Sequence, residues 1–131
     1  MVINGNQLVG MKVQGITPEY IRDMRATGID GSAEQFIGMK VQGVTPEYVR
    51  DIRATGLNPT ARQIVGMRVQ GVDADYVKAL KSAGLQNLTV DDYIRAKVSG
   101  ITPEFVAKAR NQGFKDLDLR KLIALRNADV F

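Results

Sequence analysis

The 131 residues contain no cysteine, no histidine and no tryptophan. Without cysteine there are no disulfides and no thiolate metal centres, and the redox compartment stays open. Without histidine the commonest general base and the commonest metal ligand are gone. No apolar run approaches the roughly 20 residues a membrane-spanning helix needs, so no span is expected. The opening MVINGNQLVG has neither a basic head nor an apolar core and does not read as a secretory signal. No segment sustains strand-like alternation, so no sheet is expected. Charge is only mildly one-sided: 18 Lys+Arg against 14 Asp+Glu gives +4, which permits a polyanionic partner without demanding one.

What the chain has is repetition. Met11, Met39 and Met67 are spaced by 28 residues; Ala96 and Leu125 follow at intervals of 29. Between residues 11–29 and 39–57 only four of nineteen positions differ, each an apolar-for-apolar exchange: Ile16/Val44, Ile21/Val49, Met24/Ile52 and Ile29/Leu57. Exchanges that keep character are what shared core packing allows, and a fixed period of this size marks a repeat architecture. The expected fold is an all-α solenoid of short helical hairpins with about nine helices, in one repeat domain over residues 1–131. It divides into a half-unit 1–10, units 11–38, 39–66, 67–95 and 96–124, and a remnant 125–131.

Each unit reads as two helices. Thr17, Thr45, Asp73 and Thr102 suit the N-cap of the first type, and Pro18, Pro46 and Pro103 suit its first helical position. Val44 and Val49 have the spacing of a hydrophobic staple, repeated as Ile16/Ile21, Val72/Val77 and Ile101/Val106. These helices are expected at about 17–27, 45–55, 73–83 and 102–112, each closed by a left-handed glycine: Gly28, Gly56, Gly84 and Gly113. The second type starts at Ser32, Thr60, Thr89 and Asp118 and ends at Gly15, Gly43, Gly71 and Gly100. The Thr-Pro-Glu phrase is therefore read as capping, not catalysis. None of the glycines sits in a GxGxxG or GxxxxGK[ST] frame.

The motif G-[I/V]-T-P-E-[Y/F]-[V/I], over Gly15–Gly28, Gly43–Gly56 and Gly100–Gly113, resembles tandem helical repeats of bacterial proteins. These include uncharacterised proteins and the tails of some membrane metallopeptidases of the beta-lactam sensor-transducer type. Gly71–Gly84 departs from it, with Asp73-Ala74-Asp75 for Thr-Pro-Glu. The resemblance implies an accessory helical repeat and not the peptidase, whose His-Glu-x-x-His motif is impossible here; it carries over no activity or ligand. A parallel with the L-T-P-E opening of plant-pathogen effector repeats is superficial, because their base-reading loop has no counterpart here.

Four polar columns recur. Arg22, Arg50 and Lys78, broken by Ala107, and Arg25, Arg53, Lys81 and Arg110 form a basic ridge on the first-type helices. The preferred reading is a solvated face interleaved with Glu19, Asp23, Glu47 and Asp51. The sharper one is a phosphate-contacting stripe. Lys12, Lys40, Arg68 and Lys97 project between the apolar residues of the second type. They are read as stems packed on the core whose heads reach helix-end carbonyls or a neighbouring acid. Gly10, Gly38 and Gly66, with Gln14, Gln42 and Gln70 one turn on, are read as sites of close helix approach or as a shallow amide-lined groove; Arg95 and Ser99 replace them in the last unit.

The expected function is a non-enzymatic module for protein–protein interaction or scaffolding, with a nucleic-acid-binding repeat as the alternative. No catalytic, cofactor or metal residues are expected. Near-identical units also favour self-association or a domain swap. The expected compartment is the cytoplasm for a complete chain, or the periplasm for a fragment of a membrane receptor.

Overall fold

A computed structural model describes residues 16–129. It contains eight helices: α1 (Pro18–Ala26), α2 (Ala33–Val41), α3 (Pro46–Ala54), α4 (Ala61–Gln70), α5 (Ala74–Ser82), α6 (Val90–Val98), α7 (Pro103–Asn111) and α8 (Leu119–Asn127). No strand occurs among the described residues. The fold is an all-α repeat of short hairpins, with odd-numbered helices of the first type and even-numbered of the second. Gly10, Lys12, Gln14, Gly15 and the expected half-unit 1–10 lie outside the described residues. The chain forms two compact units, Met1–Val69 and Gln70–Phe131. Within the first, α1 packs on α3; within the second, α6 packs on α8. Like helix lies on like, as solenoid stacking requires.

The caps set the boundaries. The Thr17, Thr45, Asp73 and Thr102 side chains accept from the amides of Tyr20, Tyr48, Tyr76 and Phe105 at 2.8–3.1 Å. Ser32 with Gln35 and Thr60 with Gln63 close reciprocal capping boxes. Thr89 and Asp92 close a third, in which a shorter acid replaces glutamine. The staple residues Val44 and Val49 are both buried.

At the other ends, Gly28, Gly56, Gly84 and Gly113 have φ between 93° and 102°, and Gly43, Gly71 and Gly100 between 76° and 78°. The second type closes with the paired bonds of a Schellman motif: after α2, Gly43 N–H donates to Lys40 and Val44 N–H to Met39. The first type closes in two ways. After α5 and α7 the long bond runs from Leu85 to Leu80 and from Phe114 to Ala109. After α1 the Thr27 hydroxyl stands in: it donates to the Met24 carbonyl and accepts from the Ile29 amide.

The switch from 28 to 29 residues is a one-residue insertion in the loop between the two helices of a hairpin. Asn87 and Asp116 occupy it with φ of 62° and 53°. Asn and Asp tolerate this left-handed conformation better than other non-glycine residues.

The core is wholly apolar. Met24, Phe36, Met39, Ile52, Ile64, Met67, Leu80 and Leu122 are fully buried, and no polar or charged residue among those described is. Tyr20 and Tyr76 lay their rings inward and carry their hydroxyls out to backbone. Each donates to a carbonyl just past the second helix of its own hairpin, Tyr20 to Val44 at 2.7 Å and Tyr76 to Ile101 at 2.6 Å.

Gly38 differs from the expectation of close helix approach. A Cβ built on it meets nothing within 4 Å. It lies on the outer side of α2, so its lack of a side chain serves no internal packing.

Two glycines on one hairpin array should therefore respond to alanine with opposite signs. Gly56→Ala, at a positive φ, should destabilise by about 1 kcal/mol. Gly38→Ala, in a helix with open space, should stabilise by about 0.5–1 kcal/mol. Urea unfolding of both variants checks the pair.

Burial pushes the Tyr20 and Tyr76 phenols up from 10.0 to about 12. Folding thus favours the protonated phenol. The associated stability is whole below pH 10 and lost as pH rises from 10 towards 12. A Tyr20→Phe/Tyr76→Phe variant should lose less stability across that window than the parent, as read by urea unfolding at successive pH values.

Candidate interaction surface

The basic columns are placed on helix ends as much as on solvent. On the second-type helices, the Lys40 ammonium lies 5.0 Å from the centre of the Tyr20 ring and the Lys97 ammonium 4.9 Å from that of Tyr76. The Arg68 and Arg126 guanidiniums lie 5.8 and 5.9 Å from the rings of Tyr48 and Phe105. All are within cation–π range. Each cation is solvent-exposed. The helix projection puts Lys40 between Phe36 and Ile37, and the side chain keeps its charge in water while its ammonium lies over the Tyr20 ring.

Arg68, Lys97 and Arg126 also meet the helix two elements back. Arg68 Nε donates to the carbonyl of Gly43, which closes α2, at 3.3 Å. Lys97 lies beside Gly71, and Arg126 beside Gly100. Helix C-termini carry partial negative charge, so a cation there is stabilising.

The first-type column behaves alike. The Arg53 guanidinium on α3 fills the space where a side chain on Gly28 would stand, with its Nη2 2.7 Å from a Cβ built there. Arg110 on α7 does the same at Gly84. Arg25 pairs with Asp30 at 3.1 Å and lies 5.6 Å from the centre of Phe36. The Gly31 amide first, and Arg25 next, hold the Asp30 carboxyl below its ordinary range. Arg50 pairs with Glu47 at 3.4 Å on the exposed face. Arg22, Lys78 and Lys81 are exposed, as are Gln42 and Gln70.

Another column went unnoticed in the sequence. Val41, Val69 and Val98 are 59%, 56% and 63% exposed, the three most open large apolar residues among those described. They stand at one repeat position, near the end of α2, α4 and α6. One turn back lie Ile37, Val65 and Ile94, partly covered. Val41 and Val69 belong to the first compact unit and Val98 to the second. Their recurrence outside the arc of Phe36 and Met39 was the available signal: an apolar residue kept at a position where the core does not need it.

Among the described residues no group of three or more His, Cys, Asp or Glu is placed to hold a metal ion, and no helix is long and apolar enough to cross a membrane. Compared with protein-family models, curated proteins and solved structures, the chain matches none of them.

If Arg53 completes the end of α1, Arg53→Ala should destabilise by about 1 kcal/mol. Arg50→Ala, which breaks only an exposed pair, should stay within about 0.5 kcal/mol of the parent. Chemical denaturation of the two variants tests the assignment.

Proposed function

We propose that this chain is a non-enzymatic helical-repeat module that binds another protein through the outer face of its second-type helices. The observation that carries this reading is Val41, Val69 and Val98, exposed at equivalent positions and backed by Ile37, Val65 and Ile94. Burying one such side chain against a partner is worth about 1.5 kcal/mol. Gly38 supports it from another side. A glycine inside a helix costs about 1 kcal/mol against alanine, and here the open space around it leaves no internal packing reason. A partner backbone lying close to α2 supplies one. The partner chemistry is apolar, a helix ridge or the edge of a hydrophobic patch.

The nucleic-acid reading draws on the same molecule's cations. Arg25, Arg53 and Arg110 are engaged with Asp30, Gly28 and Gly84, and Arg22, Arg50 and Lys78 alternate with acids. That arrangement favours the protein partner.

Capture from the source cell separates the two. The wild-type chain should retain a protein that a Val41→Lys/Val69→Lys/Val98→Lys variant loses, with nuclease treatment making no difference. Thermal stability should be unchanged, since all three sites are exposed. Retention that survives the valine changes and disappears with nuclease or about 0.5 M salt would move the function to nucleic acid.

A further inference from the structure

Within the first compact unit, the outer faces of α2 and α4 carry three matched positions in the same order. Glu34, Gly38 and Val41 are spaced i, i+4 and i+7, so they share one helix face, and Arg62, Gly66 and Val69 repeat the spacing on α4. The charged residue and the valine of each set are exposed, and both glycines are partly covered. A Cβ on Gly38 would meet nothing within 4 Å. The two helices lie side by side and run the same way. Near their starts a Cβ on Gly31 would stand 3.4 Å from the Ala61 Cβ, and near their ends Arg68 Nε donates to the Gly43 carbonyl at 3.3 Å. Along these three positions the helices differ in the sign of the charge: an acid on α2, a base on α4. In the second unit Arg95 and Ala124 take the glycine position, so among the described helices the pattern belongs to the first unit.

We infer that this face binds a second copy of the chain about a two-fold axis parallel to α2 and α4. The pairing rests on the valine face being a binding face, as proposed, and gives it a definite occupant. Such an axis keeps the helix direction and exchanges left for right, so α2 of each copy lies on α4 of the other. All three positions then match. Glu34 of each copy meets Arg62 of the other, Gly38 meets Gly66 and Val41 meets Val69, and each contact occurs twice. The valines exclude water, the bare glycine positions let the backbones approach, and the unlike charges fix the register. A two-fold axis across the helices would instead set α2 antiparallel on its own copy, with each charge against a valine. The charges therefore select the first arrangement.

The absence of cysteine makes the register directly readable. Val41→Cys mixed with Val69→Cys should form a disulfide dimer under mild oxidation, whereas either variant alone should stay largely monomeric at the same total concentration. In sedimentation equilibrium over a hundredfold range of concentration, the parent should rise from 14.4 kDa towards twice that mass. Glu34→Arg and Arg62→Glu, each alone, set like charges together twice and should weaken association at least about tenfold. Mixed in equal amounts they should recover it, which no change in the stability of either chain could produce. Should either variant lose its helical circular dichroism, the cross-linking comparison decides alone. Equal cross-linking in the single and mixed samples, or no recovery on mixing the two folded charge variants, would overturn the inference. So would a parent that stays monomeric throughout, while capture of a different protein by the valines would be untouched. Failure of the binding face itself shows separately, as capture indifferent to the three valine changes.

Discussion

Seven of the eight described helices end at a left-handed glycine, and five of those ends share one solution. A left-handed glycine stops the helix, leaving a partial negative charge and an empty space where a side chain would be. Cations from the helix two elements on meet both demands. Arg53 lies against Gly28, Arg68 against Gly43, Lys97 against Gly71, Arg110 against Gly84 and Arg126 against Gly100. The glycine cannot be replaced without strain, and the cation has a place only because the glycine is bare. On the second-type helices the cation also covers an aromatic ring of its own hairpin. Arg68, Lys97 and Arg126 each tie together the ring, the helix they sit on and the end of the previous helix of their type. A nine-residue helix has little stability of its own, so these ties and the apolar core make the hairpins a structure.

Much of this was legible before any coordinates. The period, the caps, the staples and the C′ glycines are all local signals, each set by residues within one turn of the feature they specify. The helix bounds expected from Thr45 and Gly56, for example, fall within one residue of α3. What was not legible depends on residues about 25 positions apart. Arg53 and Gly28 are ordinary in isolation, and nothing local joins them. The reading of Lys40 as a packed stem with an outward head did not name the Tyr20 ring that its ammonium lies over, because the ring belongs to the other helix of the hairpin. Gly38 misled for a related reason: a small residue in a helix suggests close packing, but which side it faces depends on how α2 docks. Asn87 and Asp116 could have been read, since the change of period by one residue had to be accommodated in a loop.

The surface falls into two chemical regions. One set of cations is committed to helix ends and is part of the architecture. The exposed valines at one repeat position of the second-type helices have no such commitment, and the binding reading rests on them. Evolution of a repeat makes such a division natural, because positions that stack are held by every neighbour and positions that face outward are free to acquire a partner.

The claim on which the rest depends is that ring and cation are energetically coupled across the hairpin. A double-mutant cycle between Tyr76 and Lys97, using Tyr76→Leu, Lys97→Met and the double variant in urea unfolding, isolates that term. The account predicts a coupling of about 0.5–1 kcal/mol. Strict additivity of the two single changes would contradict it, and would leave the stacked repeats held by the apolar core alone.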